Sequence, residues 1–301
     1  MYLWYNNAEL YNFGGAASRG DGIMVYLVLA VISSVLVSVL MRLSTDRVKQ
    51  NVAMLAVNYM MCLLLAAIYA GAGALVPDVP ALGQTLGMGA LNGALYLAGF
   101  VLLQMNVEKN GVVLSATFMK LGLLVPIAVS VLVFGEKPEL LQVIGFFLAV
   151  AAIILINRNK NGGSVRSGGG LVLLLLCGGC GDVMAKIFEE LGEKTLEEQF
   201  LVYTFVAALL LCLALMFARK QRPGAVEVLF GVLIGIPNFF SAKFLLGALE
   251  SVPAVIAYPT YSVATLLIIT LTGVVLFHEK LRKHQWGALV IILLALVLLN
   301  I

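Results

Sequence analysis

Long apolar runs separated by short polar turns make up almost the whole of the 301-residue chain. Ten runs are expected to be membrane-spanning helices, at about 23–41, 52–75, 82–105, 111–134, 140–156, 171–188, 199–218, 226–249, 252–277 and 284–301. Most approach the roughly 20 residues that a helix needs to cross the hydrocarbon core. The turn after the second run carries Pro77 and Pro80, which cannot continue a helix. Residues 1–22 lack a charged start followed by an apolar core, so they are expected to be a tail of uncertain origin, not a signal peptide.

The two halves of the pattern repeat. At an offset of 142 residues Gly89, Gly93 and Glu108 fall on Gly231, Gly235 and Glu250. One residue further on, at 143, Phe134, Glu136, Lys137, Gln142 and Asn157 fall on Phe277, Glu279, Lys280, Gln285 and Asn300. These matches imply an internal duplication, with a first repeat over 23–157, a basic Gly/Ser-rich linker over 158–170 and a second repeat over 171–301. Because five helices are an odd number, the second repeat enters the membrane from the opposite side. The expected fold is therefore an all-α polytopic membrane protein of ten transmembrane helices in two inverted five-helix repeats, with a binding site near mid-membrane where the repeats meet.

Composition agrees with this pattern: 61% of residues are hydrophobic, 12% are charged and the mean hydropathy is +1.03. Such a chain is expected to be integral to a membrane, gives no support to nucleic-acid binding and is expected to carry no appended soluble domain for catalysis. Cys62, Cys177, Cys180 and Cys212 all lie in apolar runs, where cysteine packs as a small residue. The Cys177-Gly178-Gly179-Cys180 stretch lacks a second ligand pair and is expected to pack helices closely, not to hold metal.

Charge says more. Of the basic residues outside the runs, Arg42, Arg47, Lys49, Lys109, Arg158, Lys160, Arg166, Arg219, Lys220, Arg222, Lys280, Arg282 and Lys283 fall on one side of the expected topology, against Arg19, Lys137 and Lys194 on the other. The positive-inside rule then places both termini outside the cytoplasm. Inside the runs stand Lys120, Lys186, Lys243 and Asp182. Lys120 lies roughly 13 Å from Gly111 and roughly 21 Å from Phe134 at about 1.5 Å per residue. A charge at that depth is expected to face a cavity or a partner, and Pro126 loosens the same helix. Asp182 and Lys186, one turn apart, are expected to form an ion pair, which leaves Lys120 and Lys243 to be balanced by a carboxylate or phosphate on a solute. Neutralisation of one lysine by burial would balance the charges without a ligand. Asn92, Tyr96 and Asn238, near mid-membrane, fit either solute binding or helix cohesion.

The ten short helices and the Phe134-Gly135-Glu136 and Phe277-His278-Glu279 signatures resemble the drug/metabolite transporter superfamily, in its bacterial EamA-type branch. The resemblance covers about 23–301. It implies a carrier of small organic solutes whose cavity is formed mainly by helices one, three, four, six, eight and nine. On this chain that points to Asn92, Tyr96, Thr117, Lys120, Asp182, Lys186, Asn238, Lys243, Tyr258 and Tyr261. The resemblance departs in two places: members of that branch keep their termini in the cytoplasm, and His278 replaces a glycine. His278 and His284 are expected to mark a basic helix end at the inner surface.

The expected function is secondary active transport of a small polar metabolite, anionic or zwitterionic, by alternating access across a bacterial inner membrane. No cofactor or metal is expected, and the expected partners are the solute, the bilayer and a coupling proton or exchange substrate, for a monomer or homodimer. One alternative is a multidrug or cationic-amine exporter, which would use Asp182 with Tyr258 and Tyr261. A membrane enzyme or lipid-handling protein is the other, but no nucleophile and base stand at motif spacing.

Overall fold

The computed structural model describes residues 19–45, 47–71, 75–110, 115, 118–119, 121–156, 168–276 and 283–300. Among them are ten α-helices: α1 Arg19–Ser44, α2 Asn51–Ala70, α3 Leu82–Asn110, α4 Leu124–Leu132, α5 Leu140–Ile156, α6 Gly168–Leu191, α7 Glu197–Ala218, α8 Ala225–Leu249, α9 Ala254–Leu276 and α10 Lys283–Leu299. A 3₁₀ turn, Leu121–Leu123, leads into α4. Seven of the ten are long and apolar enough to cross a membrane, and shorter apolar helices cover Leu121–Leu132, Leu140–Leu155 and Trp286–Leu299. Thr117, Lys120, His278 and most of the linker lie outside the described residues.

The halves interdigitate. α1 packs on α8 and α9, α2 on α7 and α8, α3 on α6 and α7, α4 on α6 and α9, and α5 on α10. Advancing every helix by five positions turns α1–α8 into α6–α3, α2–α8 into α7–α3 and α1–α9 into α6–α4. The α2–α7, α4–α9 and α5–α10 contacts map onto themselves. The packing thus carries the same twofold relation as the sequence repeat.

The repeated glycines explain how. A Cβ on Gly93 would sit 2.3 Å from the Thr204 carbonyl oxygen, and one on Gly89 would sit 2.7 Å from Tyr203 Cβ, so α3 touches the α7 backbone. In the other half a Cβ on Gly231 would lie 2.6 Å from Val57 Cβ and one on Gly235 would lie 2.7 Å from Met61 Cβ, where α8 meets α2. Small residues give helices in lipid a reason to associate, because lipid tails already satisfy large apolar side chains. Gly179 of the Cys-Gly-Gly-Cys stretch meets Gly122 in the same manner. A Cβ on Gly179 would lie 2.4 Å from the Gly122 carbonyl oxygen, as close packing of α6 requires.

The core around α2 and α7 is filled by Tyr59, Cys62, Phe200, Phe205, Cys212 and Phe239. A second cluster joins α5 to α10 through Ala149, Ile153, Ala288 and Ile292. Large apolar side chains such as Leu210, Phe147 and Leu293 stay exposed on the outside of the bundle, where a bilayer would cover them.

Helix ends are satisfied by side chains from elsewhere in the chain. Glu136 accepts the Ala254 and Val255 N–H groups at 3.0 Å each, which caps α9. Gln221 accepts the Val52 and Ala53 N–H groups, and the buried Glu227 accepts those of Lys49 and Gly224, so α2 and α8 are capped together. Free N–H groups at a helix start need such partners.

Gly93→Ala and Gly235→Ala are expected to lower the melting temperature, by an overpacking cost of about 1–3 kcal/mol each. Gly87→Ala, whose Cβ meets nothing within 4 Å, is expected to be neutral or stabilising. Equal effects at all three positions in thermal unfolding would contradict the backbone-contact account.

Candidate functional site

A cavity of about 410 Å³ lies inside the bundle. Its wall is built by α1 (Ser34, Met41), α2 (Asn58, Tyr59), α3 (Tyr96, Phe100), α6 (Cys177, Asp182), α8 (Asn238, Ser241) and α9 (Tyr261, Ser262), together with Met119 and Leu123. The expected helices are therefore present, and α2 joins them. Pro237 and Pro259 stand inside α8 and α9, just ahead of residues these helices give to the wall. Each proline leaves a carbonyl four residues earlier without its helical donor, an arrangement tolerated where a helix lines a cavity.

Two polar links cross the wall. Asn238 Nδ2 donates to Asn58 Oδ1 at 3.3 Å and lies 3.6 Å from Cys62 Sγ. The Ser241 and Tyr261 hydroxyls are 3.0 Å apart. Both links hold α8, once to α2 and once to α9, and present amide and hydroxyl groups to the space between. Asp182 supplies a carboxylate to the same wall.

The lining positions run from mid-bundle toward one end. That end gathers the finish of α1, α3 and α7 and the start of α2, α6 and α8, as Asn106 Nδ2 to the Gly170 carbonyl (3.0 Å) and Gln221 on the start of α2 show. Its described turns carry Arg42, Arg47, Lys49, Lys109, Arg219, Lys220 and Arg222. The other end gathers Asp78, Glu136, Glu139, Glu189, Glu190, Glu193, Glu197, Glu198 and Glu250. The bundle thus has a basic end and an acidic end.

At the acidic end the structure corrects the expected ion pairing. The Lys186 ammonium reaches Glu136 and Glu189 at 3.0 Å each and Glu190 at 2.7 Å, instead of pairing with Asp182. Its side chain snorkels toward the near end of α6, where carboxylates wait, and away from the apolar middle. Lys243 likewise pairs with Glu198 and lies over the Tyr69 ring at 4.8 Å. It is not among the residues of the cavity wall, and its pair with Glu198 bonds α8 to α7. The interior lysine excess inferred from sequence shrinks accordingly, because glutamates of α6, of α7 and of the turn after α4 pair with two of the three lysines.

Two further candidates hold helices together. Asn92, between Gly89 and Gly93 on the α3–α7 seam, is buried and donates from Nδ2 to Thr204 Oγ1 at 3.3 Å. Tyr258 is fully buried, and its hydroxyl donates to the Asp182 carbonyl oxygen at 2.6 Å, which fixes α9 to α6. Of the sequence candidates, Tyr96, Asp182, Asn238 and Tyr261 reach the cavity, while Thr117 and Lys120 lie outside the described residues. Asn58, Ser34 and Ser241 line it without being sequence candidates. Asn58 carries one signal: an amide inside an apolar run, like Asn92 and Asn238. Among the described residues no group of three or more His, Cys, Asp or Glu side chains could hold a metal ion.

Comparison with known proteins agrees with this architecture. The EamA-like transporter family matches twice, over residues 22–158 and 169–301. An uncharacterized protein of Haemophilus influenzae is 25% identical over 287 residues, covering 90% of this chain and 95% of its own. A protein of known crystal structure superposes with a TM-score of 0.71 at 14% identity, covering 92% of this chain and 96% of that one, a likeness of fold.

If Asn92 serves cohesion, a double-mutant cycle of Asn92→Ala with Thr204→Ala is expected to give a coupling of about 0.6 kcal/mol, the average for polar contacts between membrane helices. Additive changes in melting temperature would contradict the pairing.

Proposed function

The chain belongs to the EamA-like transporter family, and from that premise we propose that it is a secondary carrier of a small polar metabolite, working by alternating access. In this reading the ten helices all cross the membrane as two inverted repeats, and the basic end faces the cytoplasm of a bacterial inner membrane, with both termini outside. The observation that carries the proposal is the cavity itself. It lies between helices of both halves, lined by amides, hydroxyls and a carboxylate, and reaches toward one end while ion pairs stand at the other. A secondary carrier needs a mid-membrane site at the repeat interface.

Within that function the substrate class we propose is a zwitterion. Asp182 offers a carboxylate to an ammonium group, Asn58, Asn238 and Tyr261 offer hydrogen bonds, and Lys120, between the lining residues Met119 and Leu123, is proposed to take the acidic group as a point charge. Asp182 among tyrosines also favours a second reading, a cationic amine, which needs no lysine. A coupling proton or an exchanged solute is compatible with either.

A thermal-shift screen of purified protein against anionic, zwitterionic and cationic metabolites tests both readings, since a ligand held by the folded state stabilises it by mass action. Stabilisation by a zwitterion is expected, lost in Lys120→Met and in Asp182→Asn and weakened in Lys120→Arg, whose planar group changes the geometry. Wild-type affinity in Lys120→Met, with loss only in Asp182→Asn, would favour the amine reading and remove Lys120 from the site.

A further inference from the structure

We infer that Lys186 and Glu136 form the latch that keeps the acidic end shut, and that this one ion pair parts when the cavity opens toward that end. The inference rests on the carrier reading above. Lys186 is held by three carboxylates, but they belong to different bodies. Glu189 and Glu190 sit one turn further along α6 and travel with it, whereas Glu136 comes from the turn after α4. α6 is joined to α7 by the stacked Phe188 and Phe200 rings, 4.4 Å between centroids, and Lys194 lies 3.6 Å from Glu189. Glu136 is joined to α9 by its two bonds to the Ala254 and Val255 N–H groups. The seam between α6–α7 and α4–α9 is therefore crossed at this end by Lys186–Glu136, with the same ammonium over the Phe134 ring at 5.9 Å to its centroid, and, one turn deeper, by the Tyr258 hydroxyl on the Asp182 carbonyl.

Each half of the pair keeps its own partners when the other leaves. Lys186 retains two carboxylates from its own helix. Glu136 retains two backbone donors at a helix start, whose dipole favours negative charge. Parting does not strand a bare buried ion, the event that makes most buried pairs costly to break. The signature glycine sets up this geometry. Gly135 has φ 71°, a left-handed conformation that suits glycine, and the Glu136 N–H returns to the Ser130 carbonyl at 3.0 Å, which turns the carboxylate back over the bundle. The backbone contact of Gly122 with Gly179, two turns of α6 below Lys186, supplies a pivot that stays closed.

The test uses the full-length protein carrying Cys62→Ala, Cys180→Ala and Cys212→Ala, so that Cys177 on the cavity wall is the reporter. In oriented vesicles its rate of reaction with a charged, membrane-impermeant methanethiosulfonate is measured from each end. The starting protein is expected to react quickly from the basic end and slowly from the acidic end. Lys186→Met is expected to raise the acidic-end rate several-fold and lower the basic-end rate, while Lys186→Arg keeps the original rates. Glu136→Gln weakens the pair from the other side with a similar shape, so it reports should Lys186→Met fail to fold. Unchanged rates in both variants, with slow acidic-end reaction still present, would overturn the latch and leave the carrier reading standing. Reaction from one end alone in every protein would overturn both.

Discussion

Helices in a bilayer gain little by hiding leucine from one another, so this bundle is held where backbones touch. Gly89 and Gly93 bring α3 onto α7, and their repeat partners Gly231 and Gly235 bring α8 onto α2. These seams place α2 and α7 at the centre of the main core and force the two halves to interdigitate. The cavity follows from that arrangement. Six helices from both halves surround it, and the polar groups that no lipid could satisfy face inward, linked in pairs such as Asn58–Asn238 and Ser241–Tyr261.

Charge is sorted along the bundle axis instead of across it. Seven arginines and lysines crowd the described turns at one end, while glutamates crowd the other and take the lysines of α6 and α8 into ion pairs. A lysine near a helix end has a less costly choice than pairing at mid-depth, because its four-carbon stem reaches the surface. The signature Glu136 serves two ends in the same way: one carboxylate caps α9 and binds Lys186 at once.

Much of the fold was legible in the residues. The spacing of apolar runs and the glycine repeat point to ten helices in related halves, and the repeated glycines do stand where helices come close enough to leave no room for a Cβ. The site was legible only in part. Tyr96, Asp182, Asn238 and Tyr261 declare themselves as polar groups in apolar runs and do line the cavity. Lys243 and Asn92 carry the same signal but bond to neighbouring helices, since depth along a helix does not reveal which face meets a partner. The Asp182–Lys186 expectation failed for a related reason: local spacing favoured a pair one turn apart, whereas the fold delivers Glu136 from 50 residues away in sequence. The contribution of α2 to the wall depends on the α2–α8 seam, and its one local signature is the amide of Asn58 inside an apolar run.

Alternating access requires the two ends to open in turn around one cavity. Spin labels on Asp78→Cys with Glu250→Cys at the acidic end, and on Arg47→Cys with Lys109→Cys at the basic end, all exposed positions, would report it in a background without the native cysteines. Pulsed dipolar distance distributions in lipid should show two populations at each end, with conditions that enlarge the longer distance at one end enlarging the shorter at the other. A single, unvarying distance at both ends would contradict alternating access.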